Sequence, residues 1–472
     1  MIILRIIVFG VGKFFSSRKN EFKRLSNDDV LVAYVDNKYV NDTMIDGVPA
    51  ISPEKCVYLN FDYIIIMSTY IDEIRNQLQK LGVNDKKIYT WIKYVAHKNN
   101  GLIKKNFTSL PGRKKKILIV TVYVDYNGGS IAALNAAMAL RSRGYNTWII
   151  ATQIVPELKQ NLLVKGISVA ECSELPYTSE KVKQWVGNFD VIIVNTFQNI
   201  HTVYELSKFK PVVWWLHEPK RFSSLYDDTF SLFPAYRENL IIDTVNVVAV
   251  SDNAKRNFQS YYPKIKVRIM PYGLSDDRAL ANSEKQKMIF AIIGYVSLLK
   301  GHDIFVEAIK KLTAEEQDKA EFWLVGSTDG EFARNLLRVT EQISSIIVKG
   351  LVNRSQMKEI LAKLDVVVSA SREDSLPIVI TEGMMNSKAC IMSNAIGNVR
   401  YVTDLKNGLI FQSENVDDLS NKIRWCLNNK EKVKMIGQEA RKIYEKEFSM
   451  EAFADRLEGE ITQAEELFYG KR

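Results

Sequence analysis

Short apolar runs rich in β-branched residues recur along the chain and alternate with stretches of helical spacing. The first runs are Ile2–Phe9, Val30–Val35 and Tyr63–Met67, and the amphipathic stretch Tyr70–Leu81 follows the third. Runs of this kind predict strands buried on both faces, and β–α alternation predicts a parallel sheet with crossover helices. A second series starts at Ile117–Val122 and reaches about residue 285. A third starts at Met288–Ile293 and reaches about residue 447, with further strands at Glu321–Val325, Ile346–Val348 and Val366–Ser369. The tail, Met450–Tyr469, carries Phe453, Leu457, Ile461, Ala464 and Leu467 at helical spacing. At about 100–200 residues per domain, the 472 residues fit three domains. The expected division is 1–97, a linker at 98–116, then 117–285, 286–447 and a C-terminal helix at 448–472.

Charge changes this picture in one place. The segment 98–116 holds Lys98, Lys104, Lys105, Arg113, Lys114, Lys115 and Lys116 without an acid, and Pro111-Gly112 interrupts it. It reads as a solvated linker, with an anionic membrane surface as the functional alternative. The formal net charge of +9 is compatible with phosphorylated substrates, acidic headgroups or nucleic acid and does not choose among them. Cys56, Cys172, Cys390 and Cys426 are scattered, so neither a zinc site nor a disulfide framework is expected. Met1–Phe9 runs into Gly10-Val11-Gly12, as a buried strand does and a signal peptide does not. No run of eighteen apolar residues occurs, and a cytoplasmic location is expected.

The densest chemistry lies in Ser369-Ala-Ser-Arg-Glu-Asp374-Ser375-Leu376-Pro377-Ile-Val-Ile-Thr-Glu382. A buried strand ends in a polar loop, and a helix is expected to begin at Pro377, whose missing N–H is no loss in a first turn. Free N–H groups near Ser375 and Leu376 suit sugar hydroxyls or phosphate. Asp374 in the loop and Glu382 on the helix could hold two ends of an elongated polar ligand. Upstream, Gly294-Tyr295-Val-Ser-Leu-Leu-Lys300-Gly301 brings one cation suited to phosphate. After Ile117–Val122, Gly128-Gly129-Ser130 leads into a helix expected at Ile131–Arg143. The run Val212–Leu216 ends at His217, and strand ends are where ligands sit in open α/β sheets.

These pieces, in this order, resemble the retaining glycosyltransferases of family 4. The resemblance covers about residues 113–465. It implies the GT-B fold: two Rossmann-like parallel-sheet domains facing a cleft, here preceded by a small Rossmann-like domain. It further implies that residues 117–285 form the acceptor side and 286–447 the donor side, with the C-terminal helix crossing back. Asp374 and Glu382 match the family's paired acids, so Asp374 would contact the donor sugar and Glu382 the nucleotide ribose. Lys300 would neutralise the donor diphosphate, and Ser375, Leu376, Gly294, Gly128 and Gly129 would line the donor site. His217 would face the donor sugar, and the loop at Gly350 would read the base. The chain departs from the family at Tyr295, where an arginine is usual, at Tyr272, which replaces an asparagine, and at Arg400, which replaces a glutamate. The implied donor is a nucleotide-diphosphate sugar and the implied acceptor a glycan or lipid-linked glycan. No metal, cofactor or nucleic acid is expected.

Residues 1–97 resemble the Rossmann-like module that precedes sugar acetyltransferases and other polysaccharide-biosynthesis proteins, through Phe9-Gly10-Val-Gly12, Tyr34-Val-Asp36-Asn37 and Gly47-Val-Pro-Ala-Ile-Ser-Pro53. Gly10, Gly12 and Asp36 could hold a nucleotide, although Phe15 stands where a third glycine belongs. A scaffold role for this domain is the other reading. Other readings of the whole chain are a non-catalytic GT-B subunit supporting a partner enzyme, a sugar-nucleotide epimerase, and a dehydrogenase built on the front domain.

Overall fold

The computed structural model describes residues 3–39, 43–68, 70–99, 103–220, 223–278 and 286–470. Ile2, at the start of the first predicted run, and residues 100–102 of the basic segment lie outside them. Three parallel sheets follow one another along the chain. In the front sheet, Arg5–Phe9 lies between Val30–Val35 and Tyr63–Ile66, with Val48–Ile51 and Ile88–Thr90 beyond them and Thr43–Ile45 antiparallel at one edge. In the middle sheet, Lys116–Val120 lies between Asn146–Ala151 and Val191–Asn195. In the rear sheet, Met288–Ile293 lies between Ala320–Val325 and Val366–Ser369.

The run patterns follow from burial on two faces. Along Met288–Ile293, Phe290 and Ile292 enter one core while Ile289, Ala291 and Ile293 enter the other. The front strand does the same, with Ile6 and Val8 on one side and Ile7 and Phe9 on the other. Strands of period two that are buried twice carry no polar face, which is why the sequence shows them as continuous apolar runs.

In both the middle and rear sheets the first strand has neighbours whose connections run in opposite directions. A crevice opens at the C-terminal end of such a strand. The two crevices face each other, and the cleft between them holds most of the residues singled out above.

The chain crosses between these domains twice, and the crossings bind each other. Leu274 N–H donates to Phe448 O at 2.8 Å, and Tyr444 Oη donates to Leu274 O at 2.8 Å. A Cβ on Gly273 would stand 2.6 Å from Phe453 Cβ. The helix Met450–Tyr469 then lies on the middle domain, burying Phe453, Ala454, Leu457, Ile461, Ala464 and Phe468. Phe468 is buried and Leu467 only half-buried, because the helical period places 468, seven residues after Ile461, on the buried face.

The basic segment differs from a solvated linker. Lys104–Asn106 forms an antiparallel edge strand against Ser168–Glu171. Lys98 pairs with the buried carboxylate of Asp29 at 3.0 Å, and Lys115 with Glu465 at 2.6 Å. Its cations are partly neutralised by acids distant in sequence, which a local charge count misses. The front domain meets the middle domain through Arg24, 3.5 Å from the buried Glu174, and through Tyr177, which packs against both cores.

Removing Leu457 contacts in the C-terminal helix should loosen the whole middle domain. Leu457 is fully buried, so Leu457→Ala is expected to cost about 2–5 kcal/mol, read as a lower urea midpoint. An unchanged midpoint would mean the helix contributes no packing there.

Candidate active site

The cleft between the middle and rear domains contains a cavity of about 410 Å³. Its walls come from both domains, and four of the lining segments bring together Gly128, Gly129, His217, Lys300, Asp374, Ser375 and Leu376. Gly294, Gly350 and Glu382 are not in this wall. Gly10, Gly12 and Asp36 line a different cavity, of about 770 Å³, in the front domain.

On the middle side, the helix begins at Gly128, three residues before the expected start, because Asn127 caps it by accepting the Ser130 N–H at 2.9 Å. Gly128 and Gly129 therefore occupy the first turn, where backbone N–H groups have no intrahelical partner and the helix dipole favours an anion. A Cβ on Gly128 would already lie 3.8 Å from Ile378 of the rear domain. Behind this turn Asn195 is fully buried and donates to Thr121 Oγ1 at 3.2 Å and Gly129 O at 3.0 Å. Thr196 follows at φ +71°, a left-handed conformation that is strained for a β-branched residue and concentrates at functional sites.

His217 follows the strand Val212–Leu216. Its Nε2 is shut off from solvent and has no hydrogen-bond partner among the described residues. Burial lowers its pKa to about 3, so the ring is neutral. An orphaned, buried ring nitrogen on a cavity wall calls for a partner. Glu218 beside it accepts the N–H groups of Phe197 at 2.9 Å and His217 at 3.0 Å. Burial raises the pKa of Glu218, and these accepted hydrogen bonds oppose the rise. The sequence carried a signal for Glu218, an acid directly after His217, that was not assigned a role.

On the rear side, Lys300 Nζ lies 2.5 Å from Asp374 Oδ2. Two glycines make this approach possible. Gly301 has φ +71°, and a Cβ there would stand 2.0 Å from Ala370 O. A Cβ on Gly397 would stand 1.7 Å from Ser375 O. Arg372 fastens the same two loops together, donating to Asp303 and Glu414 at 2.7 and 2.8 Å. The helix after Asp374 runs Ile378–Met385, with Pro377 extended at its N-cap and not its first helical residue.

The three departures from the family pattern each have a local account. Tyr295 is half-exposed and its hydroxyl donates to Asp329 O at 2.8 Å. Lys300 is consequently the only Lys or Arg among the described residues of the cavity wall. Tyr272 is buried, and its hydroxyl donates to Leu376 O at 2.8 Å, joining the middle domain to the paired-acid loop. Arg400 pairs with Asp252 at 2.7 Å across the domain boundary.

Glu382 is buried on the helix that follows the Asp374 loop, 3.2 Å from Arg354. Burial raises its pKa and Arg354 opposes that. Gly350 ends the strand Ile346–Gly350 at φ +67° with open space around it. Gly294 ends Met288–Ile293, and a Cβ on its neighbour Gly326 would stand 1.9 Å from Gly294 O. In the front domain Gly10 has φ +98°, and Asp36 accepts the N–H groups of Val11 at 3.0 Å and Lys38 at 3.2 Å.

The two facing parallel-sheet domains and the cleft between them define the GT-B class. Solved structures support this fold. The chain is similar to Anabaena HepE in complex with UDP and glucose, with a TM-score of 0.62 at 16% identity over 74% of this chain and all of that one. It is also similar to a sucrose-phosphate synthase from Thermosynechococcus elongatus, with a TM-score of 0.62 at 14% identity over 74% of this chain and 99% of that one. Family models match in chain order: "C2185-like, N-terminal" at 2–89, "Glycosyl-transferase family 4" at 113–238 and "Glycosyl transferases group 1" at 275–443. Residues 113–443 thus carry the family 4 and group 1 glycosyltransferase domains of the GT-B class, with a C2185-like domain in front. A curated relative, an uncharacterized glycosyltransferase of Methanocaldococcus jannaschii, is 30% identical over 32% of this chain and 41% of its own. The N,N'-diacetylbacillosaminyl-diphospho-undecaprenol alpha-1,3-N-acetylgalactosaminyltransferase of Campylobacter jejuni is 29% identical over 39% of this chain and 45% of its own. The chain thus spans less than half the length of these curated relatives.

His302 supplies a pH test of the Lys300 loop. It is fully buried, and burial lowers its pKa from 6.5 to about 4. Below pH 6.5 the unfolded chain takes up a proton that the folded chain refuses until about pH 4. The contribution to stability is therefore complete above 6.5 and is lost as pH falls, at up to about 1.4 kcal/mol per unit. Urea midpoints at pH 7 and pH 5 should differ less in His302→Asn than in the wild type. An equal difference would show that His302 does not titrate this way.

Proposed function

We propose that this protein transfers a sugar from a nucleotide-diphosphate sugar to a glycan or lipid-linked acceptor in surface-polysaccharide biosynthesis, with retention of anomeric configuration and without a metal ion. One observation carries the reading: Lys300, Asp374, the first turn at Gly128-Gly129 and the orphaned His217 ring converge on one cleft cavity. In this assignment Lys300 and the first-turn N–H groups neutralise the donor diphosphate. Asp374 and the Ser375-Leu376 backbone hold donor hydroxyls, His217 Nε2 bonds a further sugar hydroxyl, and Glu382 binds the ribose. The anomeric C–O bond to the diphosphate breaks and the acceptor oxygen bonds to the same carbon on the same face. The leaving diphosphate takes the acceptor proton. No side chain needs to act as a base, and the protein positions the reactants and stabilises charge.

The HepE structures that hold UDP, UDP-glucose or UDP with glucose support a uridine donor. The Campylobacter relative, named for a diphospho-undecaprenol-linked substrate, supports a lipid-linked acceptor. No described helix is long and apolar enough to cross a membrane, so contact with such an acceptor would be peripheral. Exposed Lys104, Lys105 and Arg113 could supply charge for an anionic surface, whereas Lys115 is engaged by Glu465. The protein would then work in the cytoplasm at the inner membrane face. A non-catalytic GT-B subunit is the second reading, favoured by the loss of the second cation at Tyr295.

A thermal-shift screen of nucleotide sugars followed by product analysis separates the two. The catalytic reading expects a stabilising donor and a glycosylated product with retained configuration. Lys300→Ala and Glu382→Ala should each lower kcat/KM about 100-fold or more while keeping the wild-type fold by circular dichroism. Wild-type transfer by either variant at saturating donor would remove its assigned role.

Chelation gives an independent check. With charge stabilised by Lys300 and backbone N–H groups, EDTA should leave the transfer rate within about twofold of the untreated enzyme, on the order of 0.4 kcal/mol. Loss of activity restored by magnesium or manganese would overturn the metal-free mechanism.

A further inference from the structure

A cavity larger than the cleft lies elsewhere between domains. A groove of about 1200 Å³ lies between the front and middle domains. The front domain contributes Tyr89, Lys93 and His97, and the middle domain contributes His201, Tyr204 and Phe233. Rings supply much of its wall and support one another. Tyr89 stacks on Tyr63 at 4.1 Å, His201 on Phe233 at 4.8 Å, and Tyr204 meets Tyr236 at 5.1 Å. Such layers are rigid, so a ligand meeting them orders little further chain.

Polar groups are set among these rings. The Tyr204 hydroxyl and the side chains of Glu73, Glu238 and Asn239 make no hydrogen bond or ion pair among the described residues, and all four residues line the groove. Aromatic walls with a few uncommitted polar groups are the usual make-up of a ligand site.

Charge narrows the ligand. The chain carries +9 overall, yet the groove presents four glutamates, Glu73, Glu180, Glu205 and Glu238, against two lysines. Only one of them is ion-paired among the described residues. Lys183 lies 2.9 Å from Glu180 and 2.6 Å from Glu205, and Lys93 sits 4.1 Å from the Tyr89 ring centroid. His201 is held neutral, its pKa lowered to about 4 by burial. Lys93 alone of the two lysines has no carboxylate partner among the described residues, against the two uncommitted carboxylates of Glu73 and Glu238, so the groove disfavours phosphate, uronate or an anionic lipid and offers acceptors to hydroxyl donors.

The groove is also tied to the cleft. Gln198 lines the cleft and His201, three residues on, lines the groove. Leu225 lines the cleft, and the helix Ser223–Leu232 leads from it to Phe233 in the groove. At 1.5 Å per residue the shorter connection spans about 5 Å and the longer about 12 Å, so the two sites are close neighbours.

We infer that this interdomain groove is a second glycan-binding site, taking an uncharged oligosaccharide and holding the part of the acceptor already built while its end reaches the cleft. This rests on the glycosyl-transfer reading for its purpose and on the groove's own chemistry for its ligand class. It also gives the front domain a role: without it one wall of the groove is missing.

The test uses the full-length protein and binding, not turnover. Fluorescently labelled chitohexaose, maltohexaose and mannohexaose serve as uncharged probes, with a hyaluronan hexasaccharide and hexalysine as charged ones. Anisotropy titrations should show at least one uncharged hexasaccharide bound. Its Kd should rise tenfold or more in Tyr204→Ala and in the exposed-site variant Glu238→Gln, and stay unchanged in Lys300→Ala. The hyaluronan probe should not bind. The inference is overturned if no uncharged probe binds at millimolar concentration or if the groove variants bind as the wild type. Loss of binding in Lys300→Ala, or preference for hyaluronan or hexalysine, overturns it equally. A thermal-shift screen with nucleotide sugars on the same sample separates the two ideas: glycan binding without any donor shift sinks the transfer reading and leaves the groove assigned.

Discussion

Four consecutive residues of the rear domain hold the cleft together. Glu373 accepts the Lys220 N–H at 3.1 Å, and Asp374 O accepts from Asn253 Nδ2 at 2.9 Å. Ser375 Oγ donates to His217 O, and Leu376 O accepts from Tyr272 Oη. Each bond crosses from one domain to the other. The loop that carries the first of the paired acids is therefore positioned by the opposite wall as much as by its own strand. Asp374 and His217 cannot be placed independently, because Ser375 fastens one to the backbone of the other. A binding wall assembled from two domains in this way exists only while the domains are closed, which couples ligand access to their separation.

That segment can come so close only where side chains are missing. Gly397 lets Ser375 O and Ser251 Cβ press against the same backbone position, since a Cβ there would fall 1.7 and 2.6 Å from them. Gly301 does the same under Ala370, in a left-handed conformation. These are packing requirements, and they explain why Lys300-Gly301 and the Asp374 loop behave as one unit. Arg372 adds the ionic part, bridging Asp303 and Glu414 from a side chain that is itself mostly buried. The expense of ordering a long cation is spread over several contacts made by a single guanidinium, a geometry that lysine would not reproduce.

Much of this was legible along the chain. Twice-buried strands show as apolar runs, and Val30–Val35, Val212–Leu216, Met288–Ile293 and Val366–Ser369 appear in the structure at the residues the pattern marks. The span of the terminal helix was likewise visible, since its buried positions recur every three or four residues. Boundaries set by side-chain caps were harder. Asn127 begins its helix three residues early, because a cap is one hydrogen bond and not a periodicity. The strand Lys104–Asn106 was illegible for another reason: an exposed edge strand of polar residues has no hydrophobic alternation to read. Ion pairs between Lys115 and Glu465, or Arg400 and Asp252, join residues far apart in sequence, and no local count of charge finds them. Arg400 looked like a defect in a family pattern and stands in the structure as an interdomain contact.

The groove shows the same limit more fully. Its rings come from Tyr89 and His97 in one domain and His201, Tyr204, Phe233 and Tyr236 in another. In sequence each is an ordinary core aromatic, and several do pack into cores. What sets them apart is the interface itself: Tyr177 joins the two hydrophobic cores, and Arg24 reaches the buried Glu174, so the front domain is fixed beside the middle one. Docking there closes the front-domain cavity with Ser231 and walls the groove with Phe233, two residues apart at the end of one helix. The other end of that helix, at Leu225, is in the cleft. This ten-residue helix and the residue that follows it thus touch all three of these cavities. Because a helix resists bending far more than a loop does, a shift of its front-domain end would be carried to the cleft as a rigid displacement. On this geometry the front domain is mechanically joined to the cleft.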